Sequence, residues 1–253
     1  MTQELIEPAP SAASNQPSTS RPARSNAIWR QPYLWLVFVL GIVVFNALYA
    51  LPRYLSFDSH QSRSQLNPAH STHFGLLVAH VVTGNLALMT VLLQLWPWLR
   101  RNHPRVHRIS GRIYILGGAL PASLLALFAI IPWRDGGYGA PGGVGFAAQG
   151  VMWIGTTLIG WRMARKGMWA EHQRWMLYSF AMALGTTWGR ILFETLSTWP
   201  SLGKYVSIYV LFETSTWLGW VVGLLVAHLW FESRAQRTLV RGGGETIVYP
   251  SPV

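Results

Sequence analysis

Three sets of residues carry the chemistry this chain could perform. Two are segments that look alike, His107-Arg108-Ile109-Ser110-Gly111-Arg112-Ile113-Tyr114 and His172-Gln173-Arg174-Trp175-Met176. Each stands where a polar loop becomes a long apolar run. The third set is ionisable residues inside the apolar runs: His80, Arg190, Glu194 and Glu213. A charged group at the centre of a bilayer costs about 2.5–3.5 kcal/mol on insertion scales, so the few present are informative. Imidazole can ligate haem iron or exchange protons. A guanidinium can hold an anion or pair with a neighbouring carboxylate. The chain has no cysteine, which removes disulfides, thiolate metal sites and cysteine nucleophiles. Any metal or haem ligand must therefore be His, Met, Tyr or a carboxylate.

These residues need elements to hold them, and composition says which. Half of the 253 residues are hydrophobic and 11% are charged, against about a quarter charged in soluble domains. Lys and Arg outnumber Asp and Glu by 20 to 9. The excess lies in short loops between apolar runs, not along a soluble surface, so the expected partner is the lipid bilayer and not nucleic acid. Six runs follow one another: Tyr33–Leu51, Phe74–Trp96, Ile109–Trp133, Val144–Trp161, Trp175–Leu196 and Tyr205–Phe231. A bilayer core of about 30 Å takes about 20 helical residues, so each run is long enough to span. Only closed backbone structures survive in lipid, and no ten-residue alternating segments of a barrel are visible. The expected fold is an all-α polytopic membrane protein of six transmembrane helices, occupying residues 31–232. Residues 1–30 and 233–253 read as a disordered N-terminal and a flexible C-terminal tail.

Loop charge sets the expected orientation. Arg100, Arg101, Arg105 and Arg108 follow the second run, and Arg162, Arg165, Lys166 and Arg174 follow the fourth. Arg234, Arg237 and Arg241 follow the sixth, while the opposite loops are poorer in cations. The positive-inside rule then puts both termini in the cytoplasm of a cell whose inner (plasma) membrane the chain crosses. Several of the 14 tryptophans lie near run ends, where indole anchors at the headgroups. Gly118 and Ala122 form a small-xxx-small pair that lets helices approach, and Pro121 is expected to kink the third span. Gly136 to Gly143 reads as a turn-rich loop.

In that frame the ionisable residues fall at two depths. His80 lies about 9 Å inside the outer end of the second span, and Arg190 about 8 Å inside that of the fifth, at 1.5 Å per residue. Glu194 stands at i+4 from Arg190 and can pair with it, and Glu213 lies at similar depth. His73, His80, Ala87 and Gln94 recur every seven residues, so they share one face that points into the bundle. The bland reading is a hydrogen-bond network that locks helices together; the sharper one is a pocket or proton relay. At the inner depth, His107 and His172 open two spans and His228 lies near the end of a third. Two imidazoles from different helices are what a b-type haem needs, with Arg108, Arg112 and Arg174 available for its propionates. The bland alternative is a pair of snorkelling, phosphate-binding helix starts. Asp58, His60, His70 and His73 form a weak metal candidate in an outer loop, and His103 with His107 another, where Pro104 spoils the helix.

The stretch from His80 and Gln94 through Arg100, His107-Arg108, Gly111-Arg112 and Tyr114 resembles a family of multi-pass bacterial membrane proteins, the domain of unknown function 2306. Trp153-Ile154-Gly155-Thr156-Thr157, then His172, Arg174-Trp175-Met176, Ser179 and Arg190, is similar to its second block. The resemblance covers about residues 74–230. It implies membrane location and a helical bundle but no established reaction. The family tends to carry a basic residue just before that serine, where this chain has Tyr178. Three functions are thus expected in contest. One is electron transfer by a b-type haem on His107 and His172, which would make any enzyme here a membrane oxidoreductase. Another is a proton- or anion-coupled carrier or small-ligand binder using His80, Arg190, Glu194 and Glu213. The last is a non-catalytic scaffold. His80 and Arg190 also enter the cofactor-binding expectation, without a histidine partner for His80 at its own depth.

Overall fold

Long apolar stretches leave the backbone one way to satisfy its own polar groups, and the chain takes it. The computed structural model describes residues 32–62, 66, 70–134 and 140–241, and among these every regular element is helical. The elements are α1 (Pro32–Leu55), α2 (His73–Leu95), α3 (Pro97–Asn102), α4 (Pro104–Arg112), a π-helical segment (Ile113–Ala119), α5 (Leu120–Arg134), α6 (Ala140–Arg165), α7 (Trp169–Ser197) and α8 (Ile208–Arg241). Short 3-10 turns at Ser59–Gln61 and Leu202–Lys204 join neighbours. The expected tail 1–30 and the tip of the glycine loop, residues 135–139, lie outside the described residues. Several boundaries differ from expectation: α1 runs on to Leu55, the third span begins at Pro104, α6 begins at Ala140 inside the anticipated loop, α7 begins at Trp169, and α8 runs on to Arg241.

Five helices are long and apolar enough to cross a membrane: Leu36–Leu55, His73–Leu95, Pro104–Ala129, Gly143–Arg165 and Ile208–Ser233. α7, at 29 residues, is longer than each of these stretches but is not among the five. It packs between α6 and α8, and its middle from Tyr178 to Ala183 is buried without a break. Its polar side chains therefore meet protein, which lowers the apolarity that length alone would lead one to expect.

The third span is a single path of α4, the π segment and α5. Pro121 has no N–H for the carbonyl four residues back, and its ring crowds that carbonyl. That carbonyl belongs to Gly117, inside the π segment, so the expected irregularity takes the form of a widened turn just ahead of the proline. α2 packs along this path. A Cβ on Gly118 would lie 2.8 Å from the Ala87 Cα, so the small residue is what permits the approach. The α7–α8 contact is closer still. A Cβ on Gly219 would lie 2.5 Å from the Gly185 carbonyl oxygen and 2.7 Å from the Gly189 Cα. The main apolar core, with Ala87, Val91, Tyr114, Ala119, Ala122 and Met182 at 0% exposure, sits where α2, the π segment, α6 and α7 meet.

Candidate functional site

The heptad face of α2 meets the third span residue by residue. His80 donates from Nδ1 to the Ala122 carbonyl at 2.9 Å, Ala87 faces Gly118, and the Gln94 amide donates to the His107 carbonyl at 2.9 Å and the Ser110 hydroxyl at 2.6 Å. A carbonyl can only accept, so the bond fixes the His80 proton on Nδ1 and leaves Nε2 as an acceptor in the neutral ring.

Next to His80 lies a cluster centred on Asn46, which is buried on α1. The Asn46 amide donates to Asn85 Oδ1 of α2 at 3.1 Å. Its own oxygen accepts from Thr187 at 3.3 Å and from the Arg190 guanidinium at 3.2 Å, both on α7. Tyr49, one turn along α1, donates its hydroxyl to Glu194 at 2.6 Å, and the Arg190 guanidinium lies 5.0 Å over its ring. The Arg190 charge also acts on His80. Arg190 and Glu194 are thus both tied from α7 to α1, while His80 on α2 feels the Arg190 charge and is held by the Ala122 carbonyl of α5. Asn46 was visible in the sequence as the polar member of an apolar run, but its hub position between two other helices was not. Glu213 is the exception. Its carboxylate accepts from the Trp217 indole at 2.6 Å on α8, and its Oε2 is buried without a partner among the described residues.

At the arginine-rich end, His172 donates from Nδ1 to the Gly160 carbonyl of α6 at 2.9 Å. The His107 Nδ1 is buried with no hydrogen-bond partner among the described residues. His228 does not join them. Its Nδ1 shares a hydrogen bond with the Tyr178 hydroxyl at 2.8 Å; that hydroxyl accepts from Arg174 Nε at 3.0 Å, and Arg174 lies 3.5 Å from Glu232. Arg174 is therefore engaged in tying α7 to α8, while Arg108 and Arg112 are exposed. In the loop after α1, Asp58 spends its carboxylate capping the 3-10 turn through the His60 N–H at 2.9 Å. No three His, Asp or Glu side chains converge on a metal position among the described residues.

Between the two ends sits a buried hydroxyl set. Tyr114, on the π segment, bonds Ser179 at 2.6 Å and accepts from the Trp153 indole at 3.1 Å. Ser179 also meets Thr157 at 2.7 Å. Gln149 donates to the Met182 carbonyl at 2.9 Å and to Thr186 at 3.0 Å. Heptad spacing of His172, Ser179 and Thr186 on α7 was the available signal for this α6-facing stripe.

A helical bundle of long apolar spans, with its polar groups turned inward onto one another, defines a multi-pass membrane protein. The chain belongs to the family described as Predicted membrane protein (DUF2306), which matches residues 77–231. No curated protein and no solved structure matches it.

Proposed function

We propose that the chain crosses a cell's inner (plasma) membrane six times with both termini in the cytoplasm, and that the cluster of His80, Arg190, Glu194, Asn46 and Tyr49 binds a small anionic or protonatable ligand in the outer half. The observation that carries this reading is a guanidinium held on Asn46 and a carboxylate held on Tyr49, both reaching from α7 to α1, with the Arg190 charge acting on the His80 imidazole of α2. Helix locking alone needs no ionisable group, because the Asn46–Asn85 amide pair already bridges α1 and α2. Ionisable groups inside a span are costly and mark ligand or proton paths. His80 adds an acceptor, Nε2, whose direction is held by the Ala122 carbonyl. The test is ligand-induced thermal stabilisation of the purified protein across a panel of small anions, with proton flux in liposomes as a second readout. Arg190→Gln and His80→Gln should abolish the response. A response unchanged in both variants refutes the reading and leaves the scaffold.

A second reading rests on the other end. His172 spends its Nδ1–H on a backbone carbonyl, the arrangement that orients a ligating imidazole and frees its Nε2. His107, whose buried Nδ1 has no hydrogen-bond partner among the described residues, and His172 are the two residues that would hold a b-type haem, which would supply one-electron chemistry when bound. The surroundings fit less well, since Arg174 is committed to Tyr178 and Glu232. Protein expressed with haem supplied should show a Soret band that His107→Ala with His172→Ala removes. No band in the wild type sinks this reading.

A further inference from the structure

The last turns of α6 present one face with a divided character. Arg162, Arg165 and Lys166, with Leu158 and Trp161 deeper in the span, line a single open cleft of about 410 Å³. Their spacing puts all five on one side of the helix. All three cations are exposed, and none is in an ion pair among the described residues. The turn that carries them is held in place. The Met168 N–H bonds the Met163 carbonyl at 3.0 Å and the Gly167 N–H the Ala164 carbonyl at 3.1 Å, with Gly167 at φ 74°. This is a Schellman ending, in which glycine takes the left-handed position that a Cβ disfavours.

We propose that this cleft is a site for one anionic phospholipid, with the phosphate on Arg162, Arg165 and Lys166 and the start of the acyl chains over Leu158 and Trp161. The apolar stretch Gly143–Arg165 ends at these cations, so the cleft lies at the level of the lipid phosphates whichever way the chain is threaded. The negative end of the helix dipole opposes an anion here, but it amounts to about half a charge against three cations. A free phosphate would use the cations and leave the apolar half of the cleft idle, which is why a lipid is the better fit. Basic pockets at the ends of spans bind acidic headgroups in this manner.

The test is native mass spectrometry of the full chain in mild detergent, titrated with phosphatidylglycerol or phosphatidylcholine. The wild type should retain phosphatidylglycerol in preference to phosphatidylcholine. Arg162→Gln, Arg165→Gln and Lys166→Gln together should weaken that retention about a hundredfold, with an unchanged circular dichroism spectrum. The matched triple variant of Arg100, Arg101 and Arg105 to Gln should bind as the wild type does. Arg165→Glu alone, expected to lose most of the retention, stands in if the triple variant does not fold. Equal losses in the two triple variants would overturn the proposal in favour of general attraction to basic loops. Displacement of the lipid by equimolar inorganic phosphate would overturn it in favour of a free-phosphate site.

Discussion

Gly219→Ala probes the shortest approach that an added Cβ would meet at any of the described glycines. The added methyl would lie 2.5 Å from the Gly185 carbonyl oxygen and 2.7 Å from both the Cα and the N of Gly189. Non-bonded carbons settle at about 3.5–4.0 Å, so α7 and α8 would have to part by about an ångström. The obstruction is backbone, which cannot rotate away as a side chain can. Overpacking of this kind costs about 1–3 kcal/mol, and the upper part of the range applies here. Alanine's better helix propensity returns about 1 kcal/mol. The expected net loss is about 2 kcal/mol, or roughly 4–8 °C in the unfolding midpoint of a protein this size. The internal control is Gly155→Ala on α6, where nothing lies within 4 Å of the new Cβ. It keeps the propensity gain without the clash, so its midpoint should stay level or rise. Thermal unfolding in mild detergent, followed by circular dichroism, reads both variants. A Gly219→Ala protein as stable as Gly155→Ala would mean that α7 and α8 are not in backbone contact.

Three further substitutions test the buried polar sets. Tyr114→Phe leaves the Trp153 indole N–H and one Ser179 bond without the phenol oxygen, and should cost about 1–3 kcal/mol in chemical denaturation. Adding Ser179→Ala should cost less than the two single changes combined, because both act on one network; strict additivity would show that the hydroxyls are independent. Asn46→Leu strips Asn85, Thr187 and Arg190 of a shared partner, and should destabilise by about 2 kcal/mol or more while placing a leucine against a guanidinium. An unfolding midpoint equal to that of the wild type would remove Asn46 from the centre of the cluster.

Much of this arrangement was legible because one helix face repeats. His80, Ala87 and Gln94 stand seven apart, and the structure sets all three against a single neighbour, at Ala122, Gly118 and Ser110. The Gly118–Ala122 pair announced the other half of the same contact. Local spacing also put Arg190 and Glu194 on one side of α7. What remained hidden depends on which helices become neighbours, and spacing within one helix carries no such information. The Gly185-xxx-Gly189 pair on α7 has the same small-xxx-small pattern as the third span, yet only its meeting with Gly219 gives it a role. Glu213, expected at the depth of Arg190, is bonded to Trp217; an expected depth says nothing of azimuth. His228, expected at the depth of His107 and His172, is bonded to Tyr178. Arg174, one turn earlier on α7, brings its guanidinium to the same tyrosine hydroxyl.

α7 decides how many times the chain crosses, and its case is arguable from the side chains it hides. Ser179 and Thr187 are at 0% and 1% exposure, and Gly185 and Gly189 are buried with them. Their low hydropathy is therefore spent inside the protein, where lipid does not meet it, and hydropathy counted along the chain undervalues such a helix. At 29 residues and 1.5 Å each, α7 is longer than the hydrocarbon core. The absence of cysteine from the sequence makes the question directly testable, because any introduced thiol is the only one present. Gln173→Cys and Ser201→Cys lie at exposed positions near the start of α7 and just past its end. In sealed membrane vesicles an impermeant maleimide should label one of them and reach the other only after permeabilisation. Positive-inside threading further expects Ser201→Cys to react from the outside of intact cells and Gln173→Cys to be protected. Labelling of both from the same side would make α7 a re-entrant or interfacial helix and leave five crossings. It would also place Arg190 and Glu194 on an element that does not traverse the bundle, removing the basis for an outer binding cluster.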